Sequence, residues 1–502
     1  MLPRHEPVWE STAQIPAYSP ITADTTADVC IVGAGIAGLT TAYLLTQVGK
    51  TVVVLDDGRI GSGMTAVTTA HLANALDDRY GHLERLHGER GAALAAESHT
   101  AAIDRIEAIV ALEKIACDFE RVDGYLFAGP GHDEDYLDRE LAAVHRAGLR
   151  TVAKIGRAPL PWNTGACLRF PNQGQLHPLK YLAGLAAAIE RGGGRIYAGS
   201  HADVITGGDP GTVTTRQGVV TADYIVVATN VPVNDLLVIH TKQAPYMTYV
   251  IGVLVPRDAV PHGLFWDTGD PYHYIRIQPM SDDAFDLLIV GGEDHKTGQA
   301  DDMAQRHGRL EAWTRERVPA AGALAFTWAG QVMETVDGLA FIGRNPLDHQ
   351  HVYVVTGDSG MGMTHGTIGG MLITDLIVGK DNPWQALYDP SRKTLRASAE
   401  FVRETANVAA QYAHWVTAGD VASVDEIAKD SGAVIRRGTA QVAVYRDATG
   451  SLHEKSAACP HLGCIVAWNP AEKTWDCPCH GSRFGKFGDV ISGPANTDLS
   501  RI

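Results

Sequence analysis

The stretch Ala27-Asp28-Val29-Cys30-Ile31-Val32-Gly33-Ala34-Gly35-Ile36-Ala37-Gly38 decides how this chain begins to fold. An apolar run ends in Gly33, the first of three glycines with G-x-G-x-x-G spacing, and a helical pattern extends from Leu39 to Val48. Gly49-Lys50 stops that helix, and the β-branched run Thr51 to Leu55 reads as a buried parallel strand closed by Asp56. Strand, glycine turn, helix, strand and acid together make a βαβ unit for a dinucleotide. Gly33 permits the tight turn, Gly35 lets backbone approach a pyrophosphate, and Gly38 lets the helix pack on the strand. The helix N-terminus offers free N–H groups and partial positive charge to the phosphates. Asp56 is placed to accept ribose hydroxyls, which disfavours a 2′-phosphate and hence NADP. The fingerprint alone leaves FAD and NAD both open.

Beyond this unit the texture alternates. Residues from about Asp77 to Lys114 read as helix, and Gly192-Gly193-Gly194 turns a helix into the strand Arg195-Ile196-Tyr197. Tyr224 to Thr229 is a further apolar strand, and from Thr241 to Gly292 the pattern is β, with runs at Tyr246–Val255, Tyr272–Gln278 and Phe285–Val290. Asp301–Val318 reads as helix, and His351–Val355 as a strand leading into the glycine-rich Gly357–Gly370 and another helix. Past Trp415 short strands and turns dominate, which marks a separate C-terminal module.

Two segments carry a resemblance. Gly61-Ser62-Gly63-Met64-Thr65 resembles the loop that flavoproteins of the D-amino acid oxidase/glycine oxidase superfamily wrap along their cofactor. Val355-Thr356-Gly357-Asp358-Ser359-Gly360-Met361-Gly362-Met363-Thr364 resembles that superfamily's C-terminal motif beside the isoalloxazine, with Trp328-Ala329-Gly330, Asp337-Gly338 and Phe341-Ile342-Gly343 leading into it. The resemblance covers about residues 25–390 and implies FAD. It implies cofactor contacts from Gly33, Gly35, Ile36, Ala37, Gly38, Asp56, Asp57, Arg59, Gly63, Met64 and Thr65. Val204, Ala228, Thr229, Gly360, Met361, Gly362, Met363 and Thr364 complete that set. No second fingerprint with strand–helix context follows, so no nicotinamide domain is expected.

Four of the seven cysteines, Cys459, Cys464, Cys477 and Cys479, cluster near the C-terminus, whereas Cys30, Cys117 and Cys167 are scattered and read as small buried hydrophobes. Cys459-Pro460-His461 and Cys477-Pro478-Cys479-His480 give Cys-x-His, a spacer and Cys-x-x-His. Two thiolates suit one iron, and two imidazoles on a second iron lower the negative charge and raise the potential. Tetrahedral zinc would accept the same donor set. With His461-Leu462-Gly463-Cys464 and Gly481-Ser482, the block resembles a Rieske [2Fe–2S] domain of the cytochrome bc type. That resemblance implies metal ligands Cys459, His461, Cys477 and His480, a Cys464–Cys479 disulfide, a covering loop at Gly493-Pro494-Ala495, and Ser482 donating toward the cluster. Phe484 stands where such domains often carry a tyrosine.

The expected architecture is α/β with an α+β substrate domain: a Rossmann-like FAD-binding domain, an inserted mixed β-sheet, and a C-terminal all-β Rieske domain. The expected bounds are an extended segment at 1–24, FAD domain at 25–105, 170–240 and 325–395, substrate domain at 106–169 and 241–324, linker at 396–414, and Rieske domain at 415–502. At roughly 100–200 residues per domain, 502 residues suit such a division.

Candidate substrate-site residues are Arg276, which grips a carboxylate bidentately if it faces the flavin, with Tyr246, Tyr274 and Trp328 as pocket walls and Tyr249 beside them. His71 lies near the flavin loop, and some relatives attach flavin covalently through histidine. Sarcosine oxidases carry an oxygen-activating lysine; the nearest counterpart run here, Leu287–Gly291, has none. Asp78, His82 and His87 mimic an oxygenase iron triad, but the five-residue spacing separates the imidazoles by about 140° on a helix.

Hydrophobic residues at 45% and charged residues at 20% exclude a disordered chain, and a net charge of −16 argues against nucleic-acid binding. No apolar run approaches about 18 residues, and Met1–Pro20 has no apolar h-region, so neither a membrane span nor a signal peptide is expected and the cytoplasm is. A flavin takes a hydride equivalent and a Rieske cluster passes single electrons. Their union suggests a dehydrogenase that oxidises a C–N bond of an amine or amino acid and drains electrons through the cluster to an external acceptor. A reductase or oxygenase component with reverse flow, and a non-catalytic redox sensor, are the alternatives.

Overall fold

The strand Thr25–Val32 lies in the middle of a parallel core, between Val52–Leu55 on one side and Gly218–Val227 on the other. In the computed structural model, which describes residues 3–234 and 239–502, an eight-stranded sheet grows outward from it. Its main path runs Phe341–Arg344, Val352–Thr356, Gly218–Val227, Thr25–Val32, Val52–Leu55 and Arg195–Tyr197. Both faces are covered, which is why these strands are continuously apolar: Val52–Leu55 and Val352–Thr356 are buried at every position. The helices Ile36–Gln47 and Gly362–Ile377 pack together on one face. A Cβ on Gly366 or Gly370 would press into Ala37 or Thr40, so small residues let the two helices meet.

A nine-stranded mixed sheet forms the second layer, ordered Leu324–Thr335, Gln243–Pro256, Phe285–Lys296, His273–Pro279, Leu264–Asp267, Glu120–Phe127, Cys167–Gln175 and His71–Leu72, with Ala153–Ile155 beside Cys167–Gln175. The C-terminal module is all-β, with a three-stranded sheet (Ser431–Arg437, Ala440–Arg446, Leu452–Ser456) and a four-stranded one (Ala467–Asn469, Thr474–Asp476, Arg483–Gly485, Val490–Ser492). Among the described residues no helix is long and apolar enough to cross a membrane.

The strands move several expected bounds. Residues 170–175 and 325–335, expected in the FAD domain, belong to strands of the mixed sheet, because their partners are Glu120–Phe127 and Gln243–Pro256. The helix Tyr80–Glu113 runs through the expected 105/106 boundary, bending at Gly88 with φ 73°. The 1–24 segment is not wholly extended: Val8–Thr12 is a helical turn that buries Val8 and Trp9. The 396–414 linker holds the helix Ser398–Gln411, tied to the mixed sheet by Lys296 Nζ on Glu404 at 2.6 Å.

Candidate active site and metal centre

Between the two large sheets lies a cavity of about 320 Å³. One end is the glycine turn. Gly33 has φ +106°, and a Cβ there would collide with the Ala228 carbonyl, while a Cβ on Gly38 would collide with the Gly33 carbonyl. Strand and helix therefore approach as closely as backbone allows. Thr65 Oγ1 accepts from Ile36 N at 3.1 Å, tying the Gly61–Thr65 loop to the turn. Asp56 accepts from Ala34 N (2.6 Å) and Gly58 N (2.9 Å); burial lifts its carboxyl to about 6 against these bonds.

Most of the expected cofactor contacts line this cavity: Gly33, Gly35, Ile36, Ala37, Asp56, Asp57, Gly63, Met64, Thr65, Ala228, Thr229, Gly360, Met361, Gly362 and Met363. Four do not. Gly38 acts through packing, Arg59 pairs with Glu10, and Thr364 is buried with its hydroxyl donating to Met361 O. Val204 is exposed on the short strand Val204–Thr206, and Ala202 takes its place in the wall.

Of the expected substrate-site residues, Tyr274 lines the cavity and Arg276, Tyr246, Tyr249 and Trp328 do not. Arg276 is a structural cation: Nη1 donates to the carbonyls of Thr69, Ala70 and Leu176, each at 3.1 Å, and Nη2 to Gln278 Oε1 at 2.6 Å. It is 1% exposed, burial brings its pKa down to about 9, and it does not line the cavity, so its guanidinium is committed to the protein's own acceptors and not presented to a substrate carboxylate. Trp328 donates to Val67 O, Lys296 lies over the Tyr246 ring, and Tyr249 meets His295. His71 does line the cavity, but its ring nitrogens are engaged by Thr69 and Ile275, and burial drops its pKa to about 3, leaving it neutral. His82 contacts Arg85 and His87 donates to Asp337 O, so the Asp78–His82–His87 triad is not assembled.

The end of the cavity lined by Tyr272, Tyr274 and Thr248 is acidic. Asp77 and Asp358 line it. Tyr272 donates to Asp77 at 3.3 Å, and Thr248 Oγ1 joins the Tyr274 hydroxyl at 2.8 Å. Asp294 hydrogen-bonds Thr248, and Glu334 feels Asp78, Asp77, Asp358 and Asp294. Burial, then mutual repulsion, raises this group: Asp77 and Asp358 to about 6, Asp294 to about 7, and Glu334 well above the usual carboxylate range. Among the described residues lining the cavity there is no lysine or arginine. Sequence reading missed these acids, although Asp77 and Asp358 both stood inside quoted segments.

In the C-terminal module, Cys459 and His461 occupy one turn and Cys477 and His480 the other. The two imidazole centroids are 5.0 Å apart and near-perpendicular at 89°. Cys459 and Cys477 hydrogen-bond each other, and with further bonds from the His461 backbone and Ser482 this lowers the Cys459 thiol while raising that of Cys477. His480 Nδ1 is buried without a hydrogen-bond partner among the described residues. Cys464 and Cys479 form a disulfide, Cα to Cα 6.4 Å, that clamps the turns together.

Comparison with known proteins places both halves. The family described as FAD dependent oxidoreductase matches residues 28–376, and the Rieske [2Fe-2S] domain matches 414–502. The chain is 31% identical to the Rieske 2Fe-2S iron-sulfur protein YhfW of Bacillus subtilis across 99% of this chain and 97% of that protein. The chain belongs to the FAD-dependent oxidoreductases. It is also 27% identical to the gamma-glutamylputrescine oxidoreductase of Escherichia coli, over 74% of this chain and 89% of that one. Glycine oxidase from Geobacillus kaustophilus shares the fold, with TM-score 0.60 at 19% identity, covering 73% of this chain and 99% of that structure.

The oxidoreductase carries FAD and a [2Fe–2S] cluster as its cofactors. Its residues fit both: the glycine cradle and Asp56 suit a dinucleotide, and two thiols in contact with each other, with two imidazoles 5.0 Å apart, one with an orphaned buried nitrogen, suit the cluster. The two sites meet through Gln331. It lines the cavity, and its Nε2 donates to the carbonyl of Gly481 (2.8 Å), the neighbour of His480. Gln299 Nε2 fixes the same turn through Pro478 O at 3.0 Å, and His240 lies edge-on to His461 at 4.9 Å.

Phe484 is fully buried in the core around Cys459 and Cys477. A hydroxyl there adds a donor near the thiolates, and donors stabilise the reduced, more negative cluster. Phe484→Tyr is therefore expected to raise the cluster's midpoint potential, read by a redox titration followed by EPR. An unchanged or lowered midpoint refutes that role.

Proposed function

We propose that the oxidoreductase is a dehydrogenase for a cationic amine, oxidising the C–N bond and passing electrons through the Rieske centre to an external acceptor. The observation that carries this reading is the wall of the cavity, where Asp77 and Asp358 stand near Tyr272 and Tyr274 and no arginine or lysine is among the described lining residues, Arg79 acting on Asp77 from outside the lining. An α-carboxylate needs a cation, and the one guanidinium expected to supply it is spent on backbone carbonyls. An ammonium group needs the carboxylates that are present. Asp77, lifted to about 6, attracts the ammonium and takes up the proton that the amine sheds before hydride leaves. Trp266 and Met363 line the same cavity and exclude water from it. FAD held by the glycine turn and Asp56 would supply two-electron oxidation of the carbon beside nitrogen, giving an imine that water hydrolyses, and a cluster held by Cys459, His461, Cys477 and His480 would supply one-electron transfer. The name of the gamma-glutamylputrescine relative, an amine oxidoreductase, supports this class.

Anaerobic mixing with a panel of amines and the matching α-amino acids tests the reading. Cationic amines are expected to bleach the flavin and then reduce the cluster. Their kcat/KM should exceed that of the carboxylated counterparts by about a hundredfold, since like charges in a buried site cost several kcal/mol. Bleaching by amino acids alone overturns the amine assignment. Bleaching only after an added reductase reverses the electron flow, and none at all rejects the dehydrogenase.

A further inference from the structure

The FAD cavity has a wall that comes from the far end of the chain. Val490, Ile491, Ser492, Gly493, Ala495 and Asn496 of the Rieske domain all line it. They face the end where Asp56 stands, which the fingerprint assigns to the adenosine ribose. The contact is built. Asn496 Nδ2 donates to the carbonyls of Ala202 (2.9 Å) and Asp203 (3.2 Å), and His201 Nε2 donates to Asn496 O at 3.1 Å. His201 Nδ1 in turn lies 3.6 Å from the Asp57 carboxylate. Gly493 is held against Val231 and Val233, where a Cβ would lie 3.3 Å from the Val233 side chain. The same loop reaches the other cofactor: Ala495 N donates to Ser482 Oγ at 3.0 Å, and Ser482 hydrogen-bonds Cys459.

We propose that the Rieske loop Val490–Asn496 completes the adenosine half of the FAD site, with Asn496 as the positioning residue that holds it closed. Glycine turn, Asp56 and Ala202 form the flavoprotein side of that half-site; Ile491 and Ser492 form its other side. FAD then bridges two domains, and because one loop touches both cofactor sites, cluster assembly and FAD affinity are linked reciprocally. The inference concerns cofactor retention and stands whatever substrate the enzyme takes.

The test is FAD binding to the full chain carrying its cluster, after reversible removal of flavin. In Asn496→Ala, Kd for FAD is expected to rise by about tenfold, the order that two lost hydrogen bonds supply. Kd for ADP should rise by the same factor and Kd for FMN should not, because FMN lacks the adenosine that the loop contacts. The Rieske EPR spectrum should be unchanged. If Asn496→Ala does not accumulate with its cluster, His201→Ala breaks the contact from the opposite side and carries the same expectations. Unchanged FAD and ADP affinities with an intact cluster overturn the proposal. Equal loosening of FMN and FAD overturns it as well, since that reports general softening of the fold.

Discussion

Asp77→Asn is expected to lower kcat/KM for a cationic amine by about two orders of magnitude while making the ligand-free protein more stable at pH 7, because removing one partner of a buried charge pair costs roughly 2–5 kcal/mol. The two effects have one cause. Asp77 sits among Asp78, Glu334, Asp358 and Asp294, with Arg79 the cation that offsets it and Tyr272 its hydrogen-bond donor. Without a bound cation these acids repel, and burial already opposes their charge. Their ordinary value is 3.8, yet Asp77 and Asp358 reach about 6 and Asp294 about 7. A raised acid keeps its proton in the folded chain after the unfolded chain has released it. Stability from this group is therefore full below about pH 4 and is lost as pH rises through 6 and 7. Asparagine mimics the protonated acid, so the gain in Tm for Asp77→Asn over the natural protein should be near zero at about pH 4, grow as pH rises to about 6, and level off above that. Activity runs the other way. Binding an ammonium needs the ionised carboxylate, so kcat/KM for the natural enzyme should climb through pH 6 to 7, and the variant should lose most of that rise. Thermal melts and pH–rate profiles check both halves. A variant that is destabilised at pH 7, or that keeps its kcat/KM, removes Asp77 from the substrate site.

The distribution of these residues explains what the sequence could reveal. The glycine turn and Asp56 lie within one βαβ unit, so their spacing displays their purpose. The four cluster donors fall into two short turns for the same reason. The acidic pocket is different: Asp77, Asp294, Glu334 and Asp358 come from four separate segments, and only the pairing of sheet and helix brings them together. Arg276 shows the opposite difficulty. Its strand, His273–Pro279, is buried on both faces from Ile275 to Gln278, so no alternation marks which side meets the cavity. Its guanidinium turns instead to the carbonyls left by the Thr69–Ala70 bend. Val204 misses the wall because its strand leads away to pair with Gly211–Thr215, while Ala202 stays at the bend. Gln331 and Asn496 carry no local signature at all, since each acts through a backbone carbonyl in another domain.

Cys459→Ser is expected to separate the two halves of the reaction. A serine hydroxyl does not ionise near neutral pH, and an iron site that loses one of two thiolates cannot balance its charge. The Rieske EPR signal should disappear. With FAD supplied in excess, to offset any loosening of the Val490–Asn496 loop, a cationic amine should still bleach the flavin at a rate within about twofold of the natural enzyme, because Asp77, Tyr272 and Tyr274 all belong to the flavoprotein part of the chain, outside the module that changes. Turnover with a one-electron acceptor should nonetheless fall by at least about a hundredfold, since a two-electron donor then lacks the one-electron relay. The structure makes this a demanding expectation. Gln331 joins the cavity wall to the Gly481 turn directly, and residues of the Rieske loop line the same cavity, so a change at the cluster has a short path to the flavin site. If acceptor turnover survives in Cys459→Ser, electrons leave the flavin by their own path and the cluster is a structural clamp. If amine bleaching also stops although FAD is bound, the substrate site depends on the cluster, and the division of labour between the two modules is wrong.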